Sequence, residues 1–153
     1  MLRRVVRIVL ALALGTVLTT VVMVAPAAAQ PTIGGGVGDT ATLVAEGVAV
    51  SVPFTYTCSP DSTSVSLMME VLERVRGHHL ARGVGGTTNL VCDGIEQVGS
   101  VQIPVAANRD ETFRVGVGLV MATFSACDAT TSCTDFGISK TVQITKAPSL
   151  AKG

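Results

Sequence analysis

Every second residue from Val48 to Cys58 is large and apolar or a cysteine, in the order Val48, Val50, Val52, Phe54, Tyr56, Cys58. Small or polar residues fill the positions between. A period of two sends one set to one face of an extended chain, so this stretch predicts a half-buried β-strand. Pro53 interrupts it and lacks the N–H that a ladder needs, which places it at an edge or a bulge. TATLV before it predicts a shorter edge strand, broken off at Glu46-Gly47, and SPDSTS, 59–64, is a turn cluster.

The next stretch, VSLMMEVLERVRGHHLARGVG, fits two periods. Val65, Met68, Met69, Leu72 and Val75 form a helical stripe, while Val65, Leu67, Met69 and Val71 form a strand face. Leu, Met, Glu and Arg favour a helix, and Glu70 and Arg74 are spaced for a helical ion pair. The neighbouring segments are all strand-like with closely spaced turns, and a lone helix needs a sheet face to cover. The reading adopted is a strand from Val65 to about Val75, a turn at Arg76-Gly77-His78-His79, and a resumption at Leu80. ARGVGG reads as an irregular, flexible connection. Further strands are expected at TNLVCDG (88–94), at GSVQIPVAAN (99–108, with Val101, Ile103 and Val105 on one face), at FRVGVGLVMATFSAC (113–127) and at SKTVQIT (139–145). About seven strands joined by short turns predict an all-β, immunoglobulin-like antiparallel two-sheet sandwich.

The N-terminus adds a location. Arg3, Arg4 and Arg7 precede an uncharged apolar run, Ile8–Val24, and Ala27-Ala28-Ala29 forms a small-residue cleavage site before Gln30. That is the layout of a secretory signal peptide, 1–29, and predicts export through the Sec pathway to the extracellular space. The alternative is an uncleaved leader kept as a membrane anchor, since the run is at the short end of what spans a bilayer. The expected division is then a flexible lead-in at 30–40, the sandwich at 41–146 and a disordered tail at 147–153.

Cleavage changes the charge. The whole chain has 11 basic and 11 acidic residues; losing the three leader arginines leaves eight against 11, a net charge of −3. A nucleic-acid partner requires a basic footprint that this chain lacks. Four cysteines, Cys58, Cys92, Cys127 and Cys133, all follow the leader. An even number in an exported chain reads as two disulfides. Three pairings are open; Cys58–Cys92 with Cys127–Cys133 is favoured, because the latter pair closes the short polar loop CDATTSC. Zinc is disfavoured because no C-x2-C knuckle occurs.

FTYTC, ARGVGGTTNLVCDG and FRVGVGLVMATFSACDATTSC together resemble a group of small secreted actinobacterial proteins with an immunoglobulin-like sandwich. The resemblance spans most of 41–145 and rests on framework features: the cysteines, the CDG turn and the glycines before it. It implies the fold and a strand after the first cysteine, and it brings no catalytic residues. Unlike antibody domains, the chain has no tryptophan to pack behind a disulfide, and no tyrosine two residues before a later cysteine.

Candidate chemistry is sparse. His78 and His79 are the only histidines, but neighbours on a strand face opposite ways and lack the spacing of a metal site. No G-x-S-x-G elbow appears. The carboxylate pairs Asp110-Glu111 and Glu70/Glu73 lack the aromatic cleft of a glycosidase. GVGG lacks the Lys and Ser/Thr of a phosphate loop. The expectation is a non-enzymatic binding or structural module with no cofactor and no metal. Two specific versions follow. One is a carrier of a small apolar ligand, similar to the enediyne-antibiotic apoproteins in its short disulfide loop, with Met68, Met69 and Met121 as a candidate pocket. The other is an inhibitor or binding module that presents the 127–133 loop to an extracellular protein.

Overall fold

The computed structural model describes residues 30–77, 79–88, 90–107 and 111–147. The leader, His78 and most of the expected tail lie outside these residues. Among the described residues there are eight strands and no α-helix: β1 (Ile33–Val37), β2 (Thr40–Val44), β3 (Ala49–Cys58), β4 (Ser64–Arg76), β5 (His79–Thr88), β6 (Gln97–Pro104), β7 (Gly116–Cys127) and β8 (Cys133–Lys146). One layer is β6–β3 with β1 along the outer half of β3. The other is β5–β4–β7–β8. β2 pairs antiparallel with β3 and parallel with β8, and so joins the layers along one side. Along the other side a bridge between Gly83 and Val105 and the Ala106 N–H donated to the Arg82 carbonyl bring β5 onto β6. The protein is an immunoglobulin-type sandwich whose two sides are both drawn nearly shut.

The alternating residues point inward as the pattern requires. Val50, Val52, Phe54, Tyr56 and Cys58 of β3 are buried against Val65, Leu67, Met69 and Val71 of β4 and Val120, Ala122, Phe124 and Ala126 of β7. Phe54 and Phe124 meet edge to face with centroids 6.2 Å apart, within the range that aromatic pairs prefer. Val48 is the exception in the expected set; it is exposed and precedes the strand. Pro53 sits where the β1 pairing has ended and the β2 pairing has not begun. Its carbonyl accepts the Gly38 N–H on that side, so the missing proline N–H faces a connection rather than a ladder.

The segment of two periods is a strand. β4 pairs with β5 on one edge and β7 on the other, and burying Val65, Leu67, Met69 and Val71 outweighs the helical propensity of its residues.

Four expectations need correction. Residues 30–40 are not merely a lead-in, because Ile33–Val37 pairs with Phe54–Cys58. Glycine there permits contact: a Cβ on Gly35 would stand 2.7 Å from the Phe124 ring. ARGVGG is not a loose connection but the middle of β5. A Cβ on Gly83 would lie 2.3 Å from the Pro104 carbonyl oxygen, and one on Gly85 3.0 Å from that of Gln102, so these glycines let β5 cross the β6 backbone. Conversely, Leu90–Cys92 is not a strand; it crosses between layers. β8 begins at Cys133, six residues before the apolar alternation of SKTVQIT shows it, because its first half pairs with β7 while exposing every second residue.

Candidate functional site

Strand direction collects three connections at one end of the sandwich. β3 ends and β4 begins there, joined by 59–63. β5 ends and β6 begins there, joined by 89–96. β7 ends and β8 begins there, joined by 128–132. Both disulfides lie at this end and have the favoured pairing, Cys58–Cys92 and Cys127–Cys133. The first ties the end of β3 to the second connection. The second clamps the last paired residues of the β7–β8 hairpin. Two disulfides indicate an oxidising setting.

Hydrogen bonds fix each loop further. The Asp128 carboxylate accepts from the Thr130 N–H (2.8 Å), the Thr130 hydroxyl (2.8 Å) and the Ser132 N–H (3.0 Å). The Thr130 hydroxyl, above all, holds its pKa below the ordinary carboxylate range. Asp93 accepts from the Ile95 N–H and the Gln97 side-chain amide, both at 2.9 Å, and is likewise shifted down, chiefly by the Ile95 N–H. The Tyr56 hydroxyl, reaching out of the core, accepts the Val91 N–H at 3.0 Å. The Thr63 N–H donates to the Cys127 carbonyl (2.8 Å), and the Gly94 N–H to that of Cys58 (3.2 Å). The three loops thus form one linked surface rather than three separate tips.

Its chemistry is distinctive. Val91 and Ile95 are 63% and 67% exposed in the second loop. Asp61, Asp93 and Glu96 are exposed, Asp128 is half-buried, and none of the three connections contains a lysine or arginine. The sequence singled out the 127–133 loop alone. The signals for the other two were present as turn clusters beside Cys58 and Cys92, but only the pairing of the strands shows that all three share an end.

The other expected pocket does not assemble. Met69 is fully buried in the core, whereas Met68, its neighbour on β4, is 59% exposed. Met121 pairs with Glu70 and so lies on the same outer face as Met68. Adjacent strand residues point to opposite faces, so the three methionines cannot line one cavity.

The far end differs in character. Ala45, Glu46 and Gly47 all adopt left-handed φ angles (47°, 58° and 96°), and a Cβ on Gly47 would stand 2.1 Å from the Phe113 carbonyl oxygen. Beside this turn is an open cleft of about 880 Å³ bordered by Leu43, Glu46, Phe113, Arg114 and Lys146. Glu73 is buried in this half of the sandwich, only 3% exposed, and accepts the Arg114 N–H at 2.8 Å. Desolvation raises its pKa above the ordinary glutamate value, against the pull of that N–H and the Arg114 charge. His79 is exposed, with its Nδ1 3.6 Å from the Glu111 carboxylate. Among the described residues no group of three or more His, Cys, Asp or Glu side chains is placed to hold a metal ion.

No family model and no curated protein matches the chain. Among solved structures it is similar to the sporulation control protein Spo0M from Bacillus subtilis, at 12% identity and a TM-score of 0.34, covering 78% of this chain and 51% of that one. It is also similar to the periplasmic chaperone SfaE, at 18% identity and a TM-score of 0.33, covering 76% of this chain and 57% of that one. The chain thus spans little more than half the length of either structure.

Proposed function

We propose that the protein is an exported, non-enzymatic binding module whose recognition surface is the disulfide-anchored loop end. It belongs, on this reading, with the small secreted immunoglobulin-like proteins that its cysteine framework resembles, and it acts outside the cell after loss of the leader. The observation that carries the proposal is the concentration of both disulfides and the two Asp-centred turns on three loops at one end. A surface ordered before binding loses little conformational entropy on contact.

The exposed Val91 and Ile95 within an acidic rim fit an extracellular protein with an apolar contact and a basic surround. An apolar-ligand carrier is the less favoured version, since its methionines are divided between core and surface. A photo-crosslinking residue placed at Ile95, with a control at Val115 on the far-end segment, tests the reading in culture. Adducts with one extracellular protein at position 95, weakened by added salt as screening of the acidic rim requires, are expected. The absence of adducts at 95, with or without adducts at 115, overturns it.

A further inference from the structure

We propose that the outer face of β5–β4–β7–β8 is an interface with a second copy of this chain, paired about a two-fold axis parallel to the strands. The odd-numbered residues of β4 build the core, so its even-numbered ones face out with their cross-strand partners. Met68, Leu80, Val84, Val117 and Leu119 are all exposed there, and Leu72 joins them at the centre. A sheet covered only by solvent is expected to alternate apolar inside with polar outside. Here Met68 and Leu72 of β4 and Val117, Leu119 and Met121 of β7 place apolar side chains on the outer face as well, among Ser66, Glu70 and Thr123.

The register supplies the argument for the occupant. Arg82, Leu72, Leu119 and Thr141 form one cross-strand row; Val84, Glu70, Met121 and Ser139 form the next. Rotation about a strand-parallel axis between β4 and β7 reverses each row without shifting it. Leu72 then faces Leu119 of the second copy, Arg82 faces its Thr141, Glu70 its Met121 and Val84 its Ser139. Leucine meets leucine at the centre and no charge opposes a like charge. Glu70 is already paired with Arg82 inside each copy, so its charge enters the contact compensated. An axis across the strands would instead set Leu72 against Glu70 where it ran between these rows, Arg82 against Arg82 along the first row, or Glu70 against Glu70 along the second. The fit to its own copy therefore selects one orientation.

The size agrees. Four strands about 4.8 Å apart over nine residues at roughly 3.4 Å give a footprint of about 500 Å² per copy. Two copies bury about 1,000 Å², the threshold for a specific interface and the range of weak, reversible ones. A strand-parallel axis also points both stapled ends the same way, so the dimer would present two recognition surfaces side by side and gain avidity for a clustered partner.

Sedimentation equilibrium of the exported protein between roughly 1 and 100 μM tests this. A dimer that strengthens with concentration is expected, as an interface of this size implies. Leu119→Arg and Val117→Arg should each remain monomeric throughout, with the circular dichroism of the native fold. Val98→Arg, on exposed β6 outside the face, should dimerise as the parent does. A parent monomeric at 100 μM, a folded Leu119→Arg or Val117→Arg variant that still dimerises, or loss of the dimer in Val98→Arg overturns the proposal.

Discussion

Removing one disulfide at a time should separate the two cross-links sharply. Cys58 and Cys92 are 34 residues apart, and the loop they close contains β4 and β5. Cys127 and Cys133 are six apart and close only the hairpin tip. Constraint of the unfolded chain then contributes about 3.8 kcal/mol for the long loop and about 2.2 kcal/mol for the short one. Packing widens the gap. Cys58 is buried among core side chains, so Cys58→Ala also loses contacts, whereas Cys133 is exposed and its truncation leaves no void. For a domain of about this size, at roughly 4 °C per kcal/mol, Cys58→Ala/Cys92→Ala should lower Tm by about 15 °C or more and Cys127→Ala/Cys133→Ala by about 9 °C. Thermal melts followed by circular dichroism at low micromolar protein, where association contributes least, would measure both. Equal losses or a reversed order would refute the reasoning, because neither loop length nor burial would then govern the effect.

Other outcomes follow from single contacts. Gly83→Ala should destabilise by about 1–3 kcal/mol, as overpacking against the Pro104 carbonyl requires, while Gly34→Ala, with open space around it, should stay within about 0.5 kcal/mol in the same denaturant titration. Glu73 has its folded pKa raised above the ordinary glutamate value of 4.5, so its proton is bound more tightly in the folded state and the stability it contributes is present below that pH and lost as pH climbs through the folded pKa. Glu73→Gln keeps an acceptor for the Arg114 N–H without the buried charge. It should raise Tm at pH 7 relative to the parent and leave little difference in acid; a lower Tm at pH 7 would contradict the desolvation argument. Asp93 and Asp128 shift the other way from 3.8: their contribution is present above that value and lost as pH falls through the lower folded pKa. Amide exchange at Ile95, Thr130 and Ser132 should accelerate selectively in that acid range, and uniform protection down to global unfolding would argue against the turns.

The strands were legible wherever one face met the core and the other met water. β3, β6 and the second half of β7 announce themselves by strict alternation, since burial of Val52, Ile103 or Phe124 is a local consequence of a period of two. β4 was legible only through its neighbours. Its outer face carries Met68 and Leu72 as well as its inner face Leu67 and Val71, and a strand apolar on both sides loses the period that distinguishes it from a helix. The same doubled apolarity that blurs the sequence pattern exposes the surface proposed to pair. β1 and the glycine-rich part of β5 were illegible because glycine reports a close approach without naming what approaches: Gly35 lies against Phe124, and Gly83 against Pro104, both distant in sequence. The methionine pocket failed for a related reason, because proximity along the chain at Met68-Met69 means separation across the sheet. The loop surface needed information of a third kind. Turn composition marks 59–64 and the Asp93-Gly94 corner individually, but their common end follows from the directions of six strands, and the disulfides tell which of the two ends is the rigid one. Recognition is therefore assigned to that end on a topological ground, while the far end, with its buried carboxylate and left-handed turn, remains the half whose stability should fall as the pH rises.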